Sequence, residues 1–270
     1  MRTHYSTTVV LFVFLSTCLH ACGQSKHAKT DNTPKLWRYI DNPAAKDNEC
    51  RTEAARAKRD LKAGKLIFCS PFGFGSSPLR YEQELRILTK RYGLTFDYES
   101  FSDVIVEGQT QGCYGAVMDR AIAAKFGGNF KERLEARADS LFIIAADTST
   151  VEYTECDTHP SLPNDADRDP EIYLKVSPKL IAQPRPKTDD YGPFMDIRLI
   201  IEKSGKGHDF ELVAYLDSSK DGEAIKPYGA MLWSIAQKEL KKIPMWVPGT
   251  IKGKKVKTEA VVRVHFQADK

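Results

Sequence analysis

The sequence predicts an α+β fold in which two globular regions follow a short export segment. Residues 9–19 form an apolar run after a single arginine, which is typical of a secretory signal. Helical and strand patterns then alternate, and two-residue alternation dominates near the C-terminus. The predicted boundaries are a signal peptide at 1–21, a tether at 22–47, an α/β or α+β domain at 48–157, a linker at 158–190 and a last domain at 191–270.

The overall charge excludes one class of partner. The chain carries 40 Lys and Arg against 36 Asp and Glu, a formal net charge of +4 at pH 7. A nucleic-acid-binding protein concentrates basic residues on one face and is usually far more basic than this. We therefore expect no nucleic-acid partner.

The N-terminal apolar run is too short to span a bilayer, which takes about 20 apolar residues. The letters "LHAC" at residues 19–22 resemble the lipobox of bacterial lipoproteins, and this resemblance implies that Cys22 becomes the lipidated first residue. The expected location is the periplasmic side of the cell envelope, with a lipid anchor in the membrane. Two alternatives stay open: "LSTC" would shift the lipidated residue to Cys18, and cleavage after Gly23 would release a soluble periplasmic protein.

The remaining cysteines are even in number and would lie in an oxidising compartment. Disulfides are therefore expected, with three possible connectivities that sequence does not separate. The alternative is that one or two of them are buried free thiols, which behave as small apolar side chains. The four candidates are Cys50, Cys69, Cys113 and Cys156.

The first domain is predicted from helix and strand periods and from the glycines that end them. Gly64, Gly93 and Gly127 stand where helices should stop. The expected order is helix, strand, helix, strand, helix, helix, strand. It is carried by "NECRTEAARAKRDLK", "KLIFCS", "LRYEQELRILTKRYG", "LTFDYESF", "CYGAVMDRAIAAKF", "NFKERLEARADS" and "LFIIAADT".

The linker is rich in proline and aspartate and contains one expected strand, "EIYLKV". After it, "FMDIRLII" and "FELVAYL" alternate apolar and polar residues around a "SGKG" turn and predict a hairpin. An amphipathic helix, "PYGAMLWSIAQKELKK", precedes a last alternating strand, "VKTEAVVRVHFQ". The economical assembly is a three-stranded antiparallel sheet with one covering helix.

The C-terminal region resembles the C-terminal domain of TonB in the form common in Bacteroidetes. The resemblance covers residues 196–267 and depends most on "KKIPMWVPG" followed by "IKGKKV" and the last strand. It implies that Trp246 anchors the corner between helix and strand in the core and that Pro248 and Gly249 form the turn. The residues expected to be structural are Pro244, Trp246, Pro248 and Gly249.

The resemblance also implies a function, because the family binds an extended peptide as an added strand beside its last strand. Main-chain hydrogen bonds then give affinity, and alternate side chains give selectivity. The expected partner is a segment of an outer-membrane receptor or of another envelope protein, linked to TonB-dependent transport, and a homodimer is a further option. The predicted binding residues are Ala260, Val261, Val262, Arg263, Val264, His265 and Phe266. The chain departs from the family in lacking a long proline-rich span.

An envelope enzyme and a purely structural C-terminal domain are the alternatives. The enzyme would have its site around Cys113, Tyr114 and His159; "ECDTHP" places Cys156 near His159, but no second ligand pair has metal-site spacing. The sequence thus predicts no enzyme, no cofactor and no metal. In the structural alternative, the first domain or a second copy covers the last strand.

Overall fold

The computed structural model describes residues 34–104, 106–163, 170–181, 193–216 and 228–269. The predicted signal peptide, Cys18, Cys22 and the first part of the tether lie outside these ranges. The helices are α1 (Lys35–Tyr39), α2 (Asn48–Lys62), α3 (Glu82–Arg91), α4 (Cys113–Phe126), α5 (Phe130–Ala146), α6 (Pro178–Ile181) and α7 (Gly229–Leu240). The strands are β1 (Ile67–Gly73), β2 (Thr95–Phe101), β3 (Thr150–Glu152), β4 (Glu171–Val176), β5 (Phe194–Ile201), β6 (Gly207–Leu216), β7 (Thr250–Ile251), β8 (Lys254–Lys255) and β9 (Lys257–Ala268). The α+β class agrees with the prediction.

The N-terminal unit, residues 34–146, is organised around two parallel strands. β1 and β2 pair in register from Ile67 opposite Thr95 to Gly73 opposite Phe101, and α3 makes the crossover between them. Phe68 and Phe96 pack on one face with α3 and α5. Cys69 packs on the other with α2 and α4. Helices on both faces are the usual surroundings of parallel strands, because crossover connections place them there.

The prediction that "LFIIAADT" forms a strand is wrong, because α5 continues through it to Ala146. Phe142 and Ala146 are buried and lie four residues apart, whereas Ile144 between them is exposed. This is a helical period. A short apolar run does not by itself distinguish a buried strand from the end of a helix, and here the helix begun at "NFKERLEARADS" simply extends.

The C-terminal sheet consists of β3, β4, β5, β6 and β9. β5 pairs antiparallel with both β6 and β9, and these three strands form the antiparallel group that the sequence predicts. Met195, Ile197 and Leu199 on β5 are fully buried. Leu232 and Ala236 of α7 join the same cluster. One face of the sheet is therefore covered by the predicted helix.

Two further strands enlarge this sheet beyond the three expected. β3 pairs with the start of β9, from Thr150 opposite Lys257, and β4 pairs with its end, from Glu171 opposite Arg263; both are parallel to it. β9 is consequently paired on both sides and is not the free edge that the sequence suggested. Side-chain alternation shows which face of a strand is buried, but it does not show whether backbone groups at the edge have a partner.

The N-terminal unit and the C-terminal sheet are in direct contact. β7 and β8 pair as a short hairpin, which we call the C-terminal hairpin. Phe142 and Ala146 of α5 share a buried cluster with Ile251 of β7 and with Val256, which follows β8. Ion pairs and one backbone hydrogen bond near this cluster link the two regions. They involve Arg80, Asp139, Asp147, Asp157, Lys203 and Lys252. We call Arg80, Asp139, Asp157 and Lys252 the inter-region ion network.

Candidate functional site

The outer edge of β9, the side opposite β5, is the candidate site that the sequence predicts, and β3 and β4 pair with most of it. Ala260, Val262, Val264 and Phe266 all lie in the apolar core with no more than 1% of their surface exposed. Their side chains thus form the floor of the sheet and are out of reach of a partner. Val261, Arg263 and His265 lie on the opposite face. A partner strand at this edge would have to pair with main-chain groups of β9.

β4 already occupies most of this edge. It pairs with β9 over six residues, from Glu171 opposite Arg263 to Val176 opposite Ala268. The backbone N–H of Arg263 donates to the carbonyl oxygen of Pro170 at 3.0 Å, and that of Asp269 donates to Val176 at 2.9 Å. These bonds fix both ends of the added strand. The β9 residues 260–262 lie between the segments that β3 and β4 cover.

The two faces of β4 differ in chemistry. Ile172 and Leu174 pack against the apolar core, and Val176 is 5% exposed within it. Tyr173 points the other way and is half exposed. Its ring stacks on that of His265 with centroids 4.7 Å apart and planes within 8°. A strand at this position therefore contacts the apolar core with one face and the imidazole ring of His265 with the other.

The outer face around His265 is also polar. Nε2 of His265 lies 3.8 Å from a carboxylate oxygen of Glu171, beyond hydrogen-bond distance, and has no hydrogen-bond partner among the described residues. Arg263 makes a two-pronged ion pair with Asp196 at 2.7 and 2.9 Å and lies over the ring of Phe194. Arg263 is thus paired with β5. His265 is the side chain on this face that contacts the neighbouring strand, through its stacking on Tyr173 of β4.

The corner before β7 is built around Trp246, which is 1% exposed. Its backbone N–H donates to Gly205 at 2.8 Å, which joins the corner to the β5–β6 turn. A side chain at Gly207 would bring its Cβ within 2.6 Å of the indole Nε1, so this position needs glycine. Pro244, Pro248 and Gly249 flank the indole in sequence, and a Cβ at Gly249 would meet the Cys156 sulfur at 2.7 Å.

The cysteines separate into one disulfide and two buried thiols. Cys50 and Cys113 are bonded and join α2 to the start of α4. Cys69 and Cys156 are free and buried, so the alternative of buried thiols applies to these two. Burial raises the pKa of Cys69 to about 12 and also raises that of Cys156. Neither thiol is a reactive thiolate at neutral pH.

A polar cavity of about 470 Å³ lies between α2, β2 and the start of α4. The N–H of Gly115 donates to Glu99 at 2.8 Å, and the N–H of Cys113 donates to Glu53 at 3.1 Å. Burial raises the pKa of Glu99, against the Gly115 hydrogen bond, which lowers it. Tyr114 donates to Asp60 at 2.9 Å. Carboxylates of the chain itself thus satisfy this helix terminus.

The residues of the enzyme alternative do not form a catalytic group. Cys113 is oxidised, and the Tyr114 hydroxyl is held by Asp60. His159 packs edge-on against Tyr153 with ring centroids 5.5 Å apart. In the described ranges, no cluster of three or more His, Cys, Asp or Glu is arranged to hold a metal ion.

Sequence reasoning missed two features of these sites. "EIYLKV" was expected as a strand, but nothing in it indicates that β9 is its partner. The contact of Glu99, in "TFDYESF", with the start of the following helix was also missed. The available signal was a charged residue within a strand, together with Gly115 in the first turn of that helix. A Cβ at Gly115 would collide with that carboxylate.

Comparison with known proteins gives no relative from which to assign a role. No protein-family model, no curated protein and no solved structure matches this chain. None of the helices in the described part of the chain has both the length and the apolar character needed to cross a bilayer.

Proposed function

We propose that this protein is a cell-envelope lipoprotein that recognises another envelope protein by strand addition at β9. In this proposal Cys22 carries the lipid, and residues 191–270 form a domain like the C-terminal domain of TonB. The partner is an extended segment of an outer-membrane receptor or of another envelope protein, and the proposed role is linked to TonB-dependent transport.

The observation that carries the proposal is the pairing of β4 with β9. A segment that is distant in the chain from β9 adds to its edge as a parallel strand over six residue pairs. Strand addition to an exposed edge is a general mode of peptide recognition, in which the main chain gives affinity and alternate pockets give selectivity. The edge therefore has the hydrogen-bonding and packing properties that a partner strand needs.

The test is site-specific photo-cross-linking with the full chain in envelope membranes. In the test variant a photoreactive residue replaces Val261, in the segment of β9 between the parts that β3 and β4 cover. In the matched control it replaces Val213 on β6, at the opposite edge of the sheet. We expect one outer-membrane protein to be cross-linked from Val261, through an extended segment, and not from Val213. Equal products at both positions, or none from Val261, would overturn the proposal.

The lipid anchor has a separate test. Cys22→Ser should move the protein from the membrane fraction to the soluble periplasmic fraction, whereas Cys18→Ser should leave it in the membrane. If Cys18→Ser alone releases the protein, the anchor is at the alternative position. If neither variant does so, the lipoprotein part of the proposal is wrong.

A further inference from the structure

We infer that β4 is an internal stand-in for the partner strand, so that its own sequence describes the peptide that the site accepts. The inference deepens the proposed function and depends on it. The accepted peptide runs parallel to β9, carries apolar residues at three alternate positions and has an aromatic ring between the first two. β4 competes with that peptide for the edge.

β4 can leave without dismantling the sheet. It pairs with β9 alone, outside the path β3–β9–β5–β6 that connects the other strands. The pairing of β5 with β6 and with β9 involves none of its residues. Its departure would break one parallel ladder, expose one row of backbone groups on β9 and uncover the part of the apolar core that Ile172, Leu174 and Val176 cover.

The floor of the site selects alternating apolar side chains. Ile172, Leu174 and Val176 are spaced by two and all turn toward the core. Since successive side chains of a strand point to opposite faces, an incoming strand in the same register must present its apolar residues at those three positions. A slip of one residue would place polar side chains in the core instead.

The outer face selects the register. Tyr173 is the ring that stacks on His265, and its hydroxyl donates to Glu171 at 2.7 Å. Glu171 in turn lies beside the imidazole. An incoming peptide with an acidic residue two positions before an aromatic one reproduces both contacts. The pattern is acidic, apolar, aromatic, apolar, any residue, apolar.

Competition lowers the apparent affinity of the partner. When a site is accessible in only a fraction of molecules, the apparent dissociation constant rises by the inverse of that fraction. Weakening β4 should therefore strengthen peptide binding, and fixing β4 in place should abolish it. The weakened variant leaves the sequence of β9 unchanged.

The experiment uses the full chain and a labelled synthetic peptide of residues 170–177, "PEIYLKVS". The weakened variant is Ile172→Asn with Leu174→Asn. The locked variant is Lys175→Cys with Gln267→Cys, an exposed pair in direct register. Paired strands lie close enough for a disulfide to join them. The control lock is Arg198→Cys with Glu211→Cys, an exposed pair that joins β5 to β6 and includes none of the predicted binding residues.

We expect the weakened variant to bind the peptide at least tenfold more tightly than the unmodified chain. The oxidised β4 lock should not bind it, whereas the oxidised control lock should bind as the unmodified chain does. A peptide with Tyr and Leu exchanged breaks the alternation and should not bind to any of them. Equal binding by the β4 lock and the control lock, or no gain in the weakened variant, would overturn the inference.

The two proposals can fail separately. If the cross-link from Val261 to an envelope protein forms and the peptide neither binds nor competes with it, the partner strand differs from β4 and only this inference falls. If the peptide behaves as expected and no envelope protein is cross-linked, the edge accepts strands but the proposed recognition role falls.

Discussion

The N-terminal unit and the C-terminal sheet are stabilised in different ways. The N-terminal unit has few strand pairs, a disulfide between α2 and α4, and carboxylates placed in partly buried positions. The C-terminal sheet has no disulfide within its described residues and depends on ladders over an apolar cluster. Under the proposed function, the sheet supplies the backbone edge for strand recognition and the cross-linked unit supplies a support.

Trp246→Ala should cause the largest loss of stability, because it empties the centre of the C-terminal corner. Removing a fully buried Trp side chain costs about 3–5 kcal/mol. The measurement is the free energy of unfolding from denaturant titration. Trp246→Phe is the matched control; it should cost much less, because it keeps an aromatic ring and the Nε1 that it deletes has no hydrogen-bond partner among the described residues. Equal losses from both substitutions would contradict this account of the corner.

Removal of the disulfide should have the next largest effect, confined to the N-terminal unit. The bond joins residues 63 apart in sequence. Its loss should lower the free energy of unfolding by about 2–4 kcal/mol, since the unfolded chain regains conformational freedom. The test compares the unmodified chain with the double variant Cys50→Ser, Cys113→Ser, with and without reductant.

Reductant provides the control for this prediction. It should destabilise the unmodified chain and leave the double variant unchanged, since Cys69 and Cys156 are free thiols already. A reductant effect on the double variant would mean that another disulfide exists. Hydrogen exchange should show faster exchange in α2 and α4, while β5 and β9 stay protected.

Local sequence patterns predicted most helices and strands, but they did not predict which distant strands pair. "LTFDYESF" and "FMDIRLII" alternate, and β2 and β5 form there. The position of β4 beside β9 depends on pairing between segments about ninety residues apart, which no local period records. The prediction of a strand at "LFIIAADT" was wrong for a different reason. Its apolar residues fit either a strand or the end of a helix, and in the folded chain they extend α5 and pack against the C-terminal hairpin.

The strand that forms the candidate site was predicted, but the pairing of its outer edge with β3 and β4 was not. The alternating residues of "VKTEAVVRVHFQ" indicated β9 correctly, but edge pairing leaves no trace in side-chain polarity. The disulfide shows the same limit. Four cysteines allow several pairings, and only the packing of α2 on α4 selects Cys50 with Cys113.

The inter-region ion network should make the contact between the two regions sensitive to acid. Burial alone would raise the pKa of Asp139, but hydrogen bonds and charge from Lys252 and Arg80 outweigh it and lower that pKa. A carboxylate with a lowered folded-state pKa stabilises the protein above its unfolded value, near pH 4, and loses this contribution as the pH falls further.

Asp139→Asn should therefore cost about 2 kcal/mol at pH 7, the usual worth of a hydrogen bond to a charged group. The difference from the unmodified chain should shrink as the pH falls below 4. The measurement is the free energy of unfolding across that range. Asp147→Asn is a suitable control because its ion pair with Lys203 is more exposed and should contribute less. A loss that is constant with pH would mean that packing, not charge, explains the effect.

The smallest effect should have the opposite sign and lie in the polar cavity of the N-terminal unit. Burial raises the pKa of Glu99, and the charges of Glu53 and Asp119 raise it further. A carboxyl group with a raised folded-state pKa makes the protein less stable as the pH rises from its unfolded value through the folded one. The penalty for the buried charge is present once the pH exceeds the folded-state pKa.

Glu99→Gln should relieve that penalty while keeping an oxygen that accepts from Gly115. We expect a gain of no more than about 1 kcal/mol at pH 7, because solvent reaches part of the carboxylate and screens it. The gain should vanish below pH 4, where Glu99 is protonated in both states. Asp139→Asn and Glu99→Gln thus remove one carboxylate each and should shift stability in opposite directions at pH 7. Losses of similar size from both would mean that Glu99, like Asp139, is held by charges that favour its ionised form, and the contrast between cavity and ion network would fall.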